Sequence, residues 1–264
     1  MEIAFCKYQG TGNDFIIIDH RHMTWSLSQD MITRLCHRRF GIGADGLILL
    51  QSSIEADFTM RYYNADGRES TMCGNGGRCI VAFAIDMGLS DKQNEIRFLA
   101  ADGIHKARIL RTLSHGFEVE LQMQDVNSWE ITSDNELIVH TGSPHFVKNC
   151  TSLAQADIVS MARKIRYNSR FEQDGINVNF IERESQILHV RTYERGVEDE
   201  TYSCGTGVVA SSIACYLLMG FVPDKIITPG GELSVKFTFQ SEQFSEIYLS
   251  GPAIKVFDGT LEME

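Results

Sequence analysis

Two cysteines occupy the same short pattern of residues, about half the chain apart. Residues 61–77 read RYYNADGRESTMCGNGG and residues 191–207 read RTYERGVEDETYSCGTG, so each copy has a glutamate four residues before a Cys-Gly-x-Gly turn. If Cys73 and Cys204 face one substrate, one thiol can remove a proton from a carbon atom and the other can return a proton to the opposite side. This chemistry inverts a stereocentre, and it predicts a pseudo-twofold enzyme whose active site lies between its halves.

The similarity between the two halves extends beyond the cysteines. The pair Thr11-Gly12 recurs as Thr141-Gly142, and each cysteine turn is followed by an apolar run of helical length that ends in Met-Gly. Matches that keep their order at a nearly constant spacing indicate an internal repeat. A repeat kept only for the fold would explain the helices, but it would not explain a cysteine at the start of each helix.

The start of a helix is a suitable place for a reactive thiol and for a bound carboxylate. Backbone N–H groups without intrahelical partners and the positive end of the helix dipole lower the pKa of a thiol there and attract an anion. Glycines in the same turn let a substrate approach the backbone closely. A two-base reaction needs one thiolate and one thiol, so the two cysteines would titrate as a pair.

The cysteine turns have four other interpretations. A thiol hydrolase would use one cysteine with a base such as His145, and the second cysteine would then have no role. A phosphate-binding loop would have a lysine after its glycines, and neither copy has one. A structural origin for both cysteines and a reversible disulfide between them are the remaining alternatives.

Composition restricts the class of protein. The chain has 264 residues, 43% hydrophobic residues and a net charge of −11, which argues against nucleic acid or an anionic membrane as its partner. The sequence shows no signal peptide and no apolar stretch of membrane-spanning length. It has seven cysteines and no Cys-x-x-Cys pair, which predicts reduced thiols in a cytoplasmic protein and no zinc site.

The pattern of apolar residues predicts strands and helices in the same order in both halves. We expect a helix that begins after Ser26 or Ser28, a helix from Leu153 to about Asn168, and a helix after each cysteine turn. In the first half, strands are expected on both sides of the glycine turn in IAFCKYQGTGNDFIIID and in GLILLQSS, DFTMRYYN, EIRFLAAD, HKARILRTL and FEVELQMQ. In the second half they are expected in ELIVHTG, SPHFVKN, INVNFIE and ILHVRTYE. Near the end of the chain we expect three more strands, at 233–239, 246–249 and 253–257.

The repeat predicts two domains. The first would comprise residues 1–120 and carry Cys73, and the second would comprise residues 121–251 and carry Cys204. A final strand at about 252–264 could return to either half, including the first domain.

Seven motifs resemble, in order, those of the diaminopimelate epimerase family. They are GTGNDFIIID, RRFGIGADGLILL, NADGRESTMCGNGGRC, SPHFV, GINVNF, YERGVEDET and SCGTG, and they extend over nearly the whole chain. The resemblance implies an α/β fold of mixed, mostly antiparallel sheets. Each of two pseudo-symmetric domains would wrap around a central helix, with the active site in the cleft between them.

The family implies a reaction as well as a fold. Cys73 and Cys204 would be the acid and base that exchange the proton at one α-carbon of LL-2,6-diaminopimelate and give the meso form. No pyridoxal phosphate or metal would take part. The enzyme would serve lysine and peptidoglycan precursor biosynthesis as a homodimer with a small dicarboxylic diamino acid as its substrate.

The resemblance assigns roles to further residues of this chain. His145 and Glu194 match polar groups that set the charge and orientation of the cysteines. The positions that match substrate-binding residues are Asn13, Asn64, Ser143, Asn177, Glu194 and Arg195, with backbone cradles at Gly74-Asn75 and Gly205-Thr206. The alternatives are that the asparagines at 13 and 64 only form turns, that the histidine is a loop residue, and that the arginine forms a surface ion pair.

Two positions depart from the family pattern and bear on the substrate. Ser143 stands where the family usually has Asn, and Gly46 stands where some members have Gln. Serine still donates and accepts a hydrogen bond, so we expect the reaction to be retained with an altered local contact.

Three rival functions remain. Proline and hydroxyproline racemases would share the paired cysteines but have His in place of Asn75. A phenazine-biosynthesis-like isomerase would lack the cysteine pair. A non-catalytic binder of small molecules would tolerate the loss of either cysteine.

Overall fold

The computed structural model describes residues 2–23, 25–91 and 94–262. Contacts between residues divide the chain into two units, the first comprising residues 1–121 and 251–264 and the second comprising residues 122–250. Met1 and residues 263–264, at the outer ends of the first domain and final strand expected from the sequence, lie outside the described residues.

The described residues of the first unit form two α-helices and the strands that pair around them. Its elements are β1 (Glu2–Gly10), β2 (Asn13–Asp19), α1 (Gln29–Cys36), β3 (Gly46–Gln51), β4 (Phe58–Asn64), β5 (Glu69–Ser70), α2 (Gly74–Asp86), β6 (Ile96–Ala100), β7 (Gly103–Leu113) and β8 (Gly116–Gln122).

The second unit repeats this order with its own two α-helices and a short 3₁₀ turn at Leu153–Gln155. Its elements are β9 (Trp129–Ser133), β10 (Glu136–His140), β11 (Pro144–Asn149), α3 (Ile158–Arg166), β12 (Asn177–Glu184), β13 (Ile187–Glu194), β14 (Asp199–Thr201), α4 (Gly205–Met219), β15 (Lys225–Thr228), β16 (Gly231–Gln240) and the first part of β17 (Gln243–Glu262).

Strand pairing shows that the two units are pseudo-symmetric. In the first unit β2 pairs with β3 and β4 pairs with β6 in parallel, and the corresponding pairs β11–β12 and β13–β15 of the second unit are parallel too. The other pairs of named strands are antiparallel. The later part of β17 pairs with both β1 and β8, so the sheet of the first unit closes on itself. The predicted class, mixed sheets in two pseudo-symmetric domains, is confirmed.

The central strands of each unit are buried on both faces because a helix covers each face. In the first unit, Ile16 and Leu47 pack with Ile32 and Leu35 of α1. The opposite face of β2 and β3 meets the first turn of α2, at Gly76. Strands enclosed in this way are continuous runs of apolar residues, as GLILL in β3 is.

The helices that follow the cysteines are buried along most of their length. Residues 74–85 of α2 and residues 207–215 of α4 are all buried. A helix that is apolar all round belongs in the core of its domain. Both helices end at the predicted Met-Gly pair, with C-caps at Met87 and Gly220.

Two predicted elements differ from the structure. The helix expected from Leu153 to Asn168 is a 3₁₀ turn followed by α3, because the carboxylate of Asp157 accepts a hydrogen bond from the backbone N–H of Ser160 and starts a new helix. The two strands expected at 246–249 and 253–257 are one strand, β17, which continues through Pro252. The short strands β5, β9, β14 and β15 were not predicted.

Phe244 is the centre of the aromatic core of the second unit, and its replacement by Ala should destabilise the protein. The side chain is 0% exposed, and it packs against the rings of Trp129, Tyr216, Phe237 and Phe239. Removing a buried phenyl ring leaves a cavity, so urea denaturation should show a loss of about 3–5 kcal/mol in the free energy of unfolding.

Phe40 supplies the matched control because its side chain is 78% exposed. Phe40→Ala should change the free energy of unfolding by no more than about 0.5 kcal/mol. Equal losses in the two variants would contradict this description of the core.

Candidate active site

Both cysteines are N-cap residues, and neither uses its side chain to cap its helix. Cys73 precedes α2 and Cys204 precedes α4, each with extended backbone. Their sulfur atoms are therefore not committed to the first-turn N–H groups, which are the groups that bind anions at helix N-termini. Cys73 is half-buried and Cys204 is 8% exposed.

The glutamate of each repeated pattern forms an ion pair with the arginine of the same pattern. Arg61 and Glu69 form two hydrogen bonds of 2.8 and 2.9 Å. Arg191 and Glu200 form two of 2.6 Å. Each pair joins a long strand to the short strand that leads into the cysteine, β4 to β5 and β13 to β14. These four residues thus stabilise the hairpins that position the thiols, a role that the sequence pattern alone did not reveal.

In the first unit, Cys73 lies beside two asparagines from the predicted site. Its thiol donates to Asn13 Oδ1 at 3.6 Å, and Asn75 Nδ2 donates to the same oxygen at 3.3 Å. Asn13 Nδ2 donates to Asp45 Oδ2 at 2.7 Å, which fixes the orientation of the amide. The atom that Asn13 presents to Cys73 is therefore a carbonyl oxygen, which can only accept a hydrogen bond.

Asp14 and its basic partners hold this region together. Burial raises the pKa of Asp14, but hydrogen bonds from Arg38 and Lys7 outweigh it and hold that pKa well below its usual range. Arg38 also bonds Asp45, at 2.6 Å. Asp14 and its two basic partners thus anchor the start of β2, where Asn13 lies.

Arg78 is a buried guanidinium one turn along α2 from Cys73. Its Nη2 donates to Asn75 Oδ1 at 3.0 Å and to Thr11 Oγ1 at 3.2 Å. Burial lowers its pKa, and the thiols of Cys79 and Cys73 oppose that shift. The bond to Asn75 leaves Nδ2 of that amide directed at Asn13. Sequence reasoning missed Arg78, although a single charged residue in the otherwise uncharged run GNGGRCIVAFAI is a signal for a buried polar role.

Asn64 and Gly46 lie opposite each other on β4 and β3. Asn64 is exposed and accepts a hydrogen bond from the Tyr62 hydroxyl at 2.9 Å. A Cβ atom at Gly46 would lie 2.6 Å from the Tyr62 ring and from the carbonyl oxygen of Tyr63. Tyr62 therefore fills the space that a larger residue at position 46 would need, which explains this departure from the family pattern.

In the second unit, a chain of buried polar groups starts at Cys204. Its sulfur lies 3.5 Å from Thr206 Oγ1, which lies 2.9 Å from His145 Nε2. His145 Nδ1 lies 2.8 Å from Asn179 Oδ1, and Asn179 Nδ2 donates to Thr192 Oγ1 at 2.7 Å. Burial lowers the pKa of His145 to about 4, and its bond to Asn179 only partly opposes this shift. His145 is a fully buried residue of β11, so the alternative of a loop histidine is wrong.

Ser143, Asn177 and Arg195 are neighbours in the same unit. Asn177 Nδ2 donates to Ser143 Oγ at 2.5 Å, and the backbone N–H of Arg195 donates to Asn177 Oδ1 at 2.8 Å. The exposed guanidinium of Arg195 donates to the carbonyl oxygen of Asp174 at 2.9 Å. Beside them, Glu194 ends β13 and accepts a hydrogen bond from the Thr201 hydroxyl at 3.0 Å.

The side chains that pack against the first turn of α2 and of α4 differ in polarity between the two units. A Cβ atom at Gly76 of α2 would meet Ile48, Met60 and Phe15 at 3.2–3.5 Å. A Cβ atom at the equivalent Gly207 of α4 would lie 2.5 Å from Asn179 Nδ2 and 3.3 Å from His145. The lining is apolar in the first unit and polar in the second, and Asn179 is a second residue that sequence reasoning missed. The feature of the sequence that could have revealed it is an asparagine in the middle of the strand NVNFIE.

The sequence of the chain matches that of a known protein family. The sequence pattern of diaminopimelate epimerase matches residues 5–128 and 137–256, which include both cysteine turns. A diaminopimelate epimerase from Flavobacterium psychrophilum is 46% identical over 260 residues, covering 97% of this chain and 98% of the relative. The chain belongs to the diaminopimelate epimerase family. The predicted family is therefore confirmed, and the family is one of isomerases.

Solved structures of other proteins show the same fold as this member of the epimerase family. The Bacillus anthracis phenazine biosynthesis protein of the PhzF family has a TM-score of 0.75, 15% identity and full coverage of both chains. A hydroxyproline epimerase from Agrobacterium vitis has a TM-score of 0.69 and 14% identity, covering 98% of this chain and 92% of the other. At these identities the likeness concerns the fold alone.

The described residues add three observations on the type of site. All seven cysteines are free thiols. No group of three or more His, Cys, Asp or Glu side chains in the described ranges is arranged to hold a metal ion. Of the helices in those ranges, none is both long and apolar enough to cross a membrane.

The low pKa of His145 predicts a loss of stability in acid. The folded protein holds this imidazole neutral down to about pH 4, whereas the unfolded chain binds a proton below about 6.5. Stability should therefore fall as the pH decreases from 6.5 to 4, by up to about 3 kcal/mol from this residue. The measurement is the free energy of unfolding as a function of pH, for the natural protein and for His145→Gln. The same slope between pH 6.5 and 4 in both proteins would show that His145 is not held neutral by burial.

Proposed function

We propose that this chain converts LL-2,6-diaminopimelate to meso-diaminopimelate without a cofactor, by proton transfer between two thiols. The observation that carries the proposal is the pair of family-motif cysteines, each of which is the N-cap of a buried helix in its own unit. The 46% identity to an epimerase of that name over nearly the full length supports the same substrate.

The reaction requires strong stabilisation of negative charge because the α-hydrogen of an amino acid is a very weak acid. One cysteine, as a thiolate, removes this proton and becomes a thiol, while the other thiol protonates the opposite face of the carbon and becomes a thiolate. Backbone N–H groups at Gly74-Asn75 and Gly205-Thr206 would bind the substrate carboxylate and the charge that develops beside it. The proposal requires the two sulfur atoms to reach opposite faces of one α-carbon.

The remaining residues would hold the substrate in one orientation. Arg195 is suited to bind a carboxylate through two hydrogen bonds, and its guanidinium is exposed and donates to the backbone carbonyl of Asp174. Asn13 and Asn177 are already oriented by bonds to Asp45 and Ser143, so little freedom would be lost when substrate binds. Asn64 and Glu194 end equivalent strands and would contact the amino groups.

His145 and Glu194 would adjust the chemistry of Cys204. His145 is neutral because burial lowers its pKa to about 4, so it would act as a hydrogen-bonding partner and not as a cation. Glu194 lies at the end of the strand that leads, through the Glu200 hairpin, to this cysteine.

A racemase of another amino acid is the alternative function. The fold shared with a hydroxyproline epimerase is compatible with it. A shorter substrate with one carboxylate would lack the second carboxylate that Arg195 is suited to bind through two hydrogen bonds, so it would bind less tightly. A non-catalytic binder remains the alternative outside the enzymes.

Three further properties follow from the family and are proposals for this chain. We propose a place in lysine and peptidoglycan precursor biosynthesis, because meso-diaminopimelate would be the product. We propose a cytoplasmic protein, because free thiols persist under reducing conditions. We also propose a homodimer.

The assay uses purified protein, LL-diaminopimelate and no added cofactor, and it follows the meso isomer by chiral separation. Cys73→Ala and Cys204→Ala should each lower kcat at least about 1,000-fold, because each removes an acid or base of the reaction. Cys150→Ser is the matched control, because this half-buried thiol follows β11 and lies outside the proposed site. It should retain activity.

Full activity in either alanine variant would contradict the two-base proposal. Activity on proline with none on diaminopimelate would preserve the mechanism and overturn the substrate.

A further inference from the structure

The two cysteines have hydrogen-bond partners of different chemical type. Cys73 meets Asn13 Oδ1, which can only accept a hydrogen bond. Cys204 meets the hydroxyl of Thr206, where either atom can be the donor. In a reversible epimerisation each cysteine must serve both as a thiol and as a thiolate, and of these two partners only the hydroxyl can match both states.

The buried chain behind Thr206 determines where its hydrogen points when Cys204 is a thiol. Asn179 Nδ2 donates to Thr192, so Asn179 Oδ1 is the atom that faces His145. A carbonyl oxygen carries no hydrogen, so His145 Nδ1 must be the donor, and Nε2 of the neutral imidazole is then an acceptor. The Thr206 hydroxyl therefore donates to His145 and presents a lone pair to the S–H group of Cys204.

We propose that the Thr206 hydroxyl is a rotor that follows the protonation state of Cys204. It donates to His145 Nε2 when Cys204 is a thiol, and it turns to donate to the sulfur when Cys204 is a thiolate. This inference rests on the proposed function, because it assigns a positioning residue to one of the two proposed thiols.

The proton balance of this step is simple. When Cys204 protonates the substrate carbanion, the S–H bond breaks, a C–H bond forms, and the sulfur keeps the electron pair. The Thr206 hydrogen then rotates from nitrogen to sulfur without leaving its oxygen. His145 neither gains nor loses a proton, which agrees with its burial in an environment that disfavours the imidazolium ion.

Ser143 supplies a substitute donor for His145 when the Thr206 hydrogen turns away. The Ser143 hydroxyl oxygen lies 3.5 Å from His145 Nε2 and accepts a hydrogen bond from Asn177. The hydrogen of the serine hydroxyl therefore does not point at Asn177, and it can be donated to Nε2. The residue that departs from the family pattern thus has a position in the same network. The other titratable or charged groups that act on His145 are His140 of β10 and Arg195 after β13, and both disfavour a second positive charge.

Among the described residues of the first unit, no equivalent of this hydrogen-bonded series of side chains is found. The positions that correspond to His145 and Asn179 are the apolar Phe15 and Ile48, at the same register of β2 and β3. Asn75, the counterpart of Thr206, is committed to Arg78 and Asn13 through both ends of its amide. The rotor is therefore specific to Cys204.

Thiolate formation at Cys204 tests the proposal without any substrate. The ultraviolet absorbance of thiolates is measured as a function of pH in the full-length Cys73→Ala protein. The same curve for Cys73→Ala/Cys204→Ala is subtracted, which removes the contribution of the other cysteines. Introducing Thr206→Val into the Cys73→Ala protein removes the hydroxyl that would donate to the Cys204 sulfur. It keeps the shape of the side chain and the backbone N–H group. The midpoint of thiolate formation should rise by about one pH unit or more, since a hydrogen bond to a charged group is lost.

Two further variants complete the test. Thr206→Ser retains a hydroxyl, so its midpoint should stay close to that of the parent. Thr206→Ala removes the hydroxyl without the valine methyl groups, so it should shift in the same direction as Thr206→Val and decides the question if the valine variant does not fold. An unchanged or lowered midpoint without the hydroxyl, or an equal rise in Thr206→Ser, would overturn the proposal.

The same proteins separate this inference from the proposed function. A natural protein without activity on LL-diaminopimelate would refute the proposed function, while the titration would still decide what the hydroxyl does. An active natural protein whose Thr206 variants titrate like their parent would refute only the rotor.

Discussion

A helix buried on all sides can present its unpaired backbone N–H groups only at its end. In this protein α2 and α4 are enclosed by strands, and the residue at each N-terminal end is a cysteine that does not cap the helix with its side chain. Glycines in the first turn let the strands approach closely, since a Cβ atom at Gly207 would lie 2.5 Å from Asn179. The hairpins, the ion pairs and the amide networks all position the same two cysteine turns. Because the two helices are buried elsewhere, only these turns can bind a substrate.

The shared backbone supports two different sets of side chains. Beneath Cys73 the lining residues are Phe15, Ile48 and Met60, which pack without any requirement for hydrogen bonds. Beneath Cys204 the corresponding groups are polar, and burying them is unfavourable unless every hydrogen bond is made. In the first unit the same backbone arrangement forms around apolar side chains. The hydrogen-bonded series of polar side chains in the second unit is therefore not needed for the fold. Its presence on one side favours a role in controlling one thiol.

The sequence allowed the family, the cysteine-led helices and most of the strands to be predicted, because these features are local or repeated. The helix expected at 153–168 failed where one side chain, that of Asp157, started a new helix. Arg78 and Asn179 were missed because their roles depend on residues distant in the chain, such as Thr11 for Arg78 and His145 for Asn179. The repeated Arg and Glu were visible in the sequence, but only the hairpin geometry showed that they pair with each other.

Solvent isotope labelling decides whether two thiols act on opposite faces of one carbon atom. The natural protein is incubated with LL-diaminopimelate in D₂O, and both isomers are analysed by mass spectrometry at low conversion. Proton transfer between two thiols predicts one deuterium in each molecule of meso product and none in the remaining LL substrate, because the base that removes the proton is not the acid that delivers the new one. Equal early labelling of substrate and product, or product without deuterium, would contradict it.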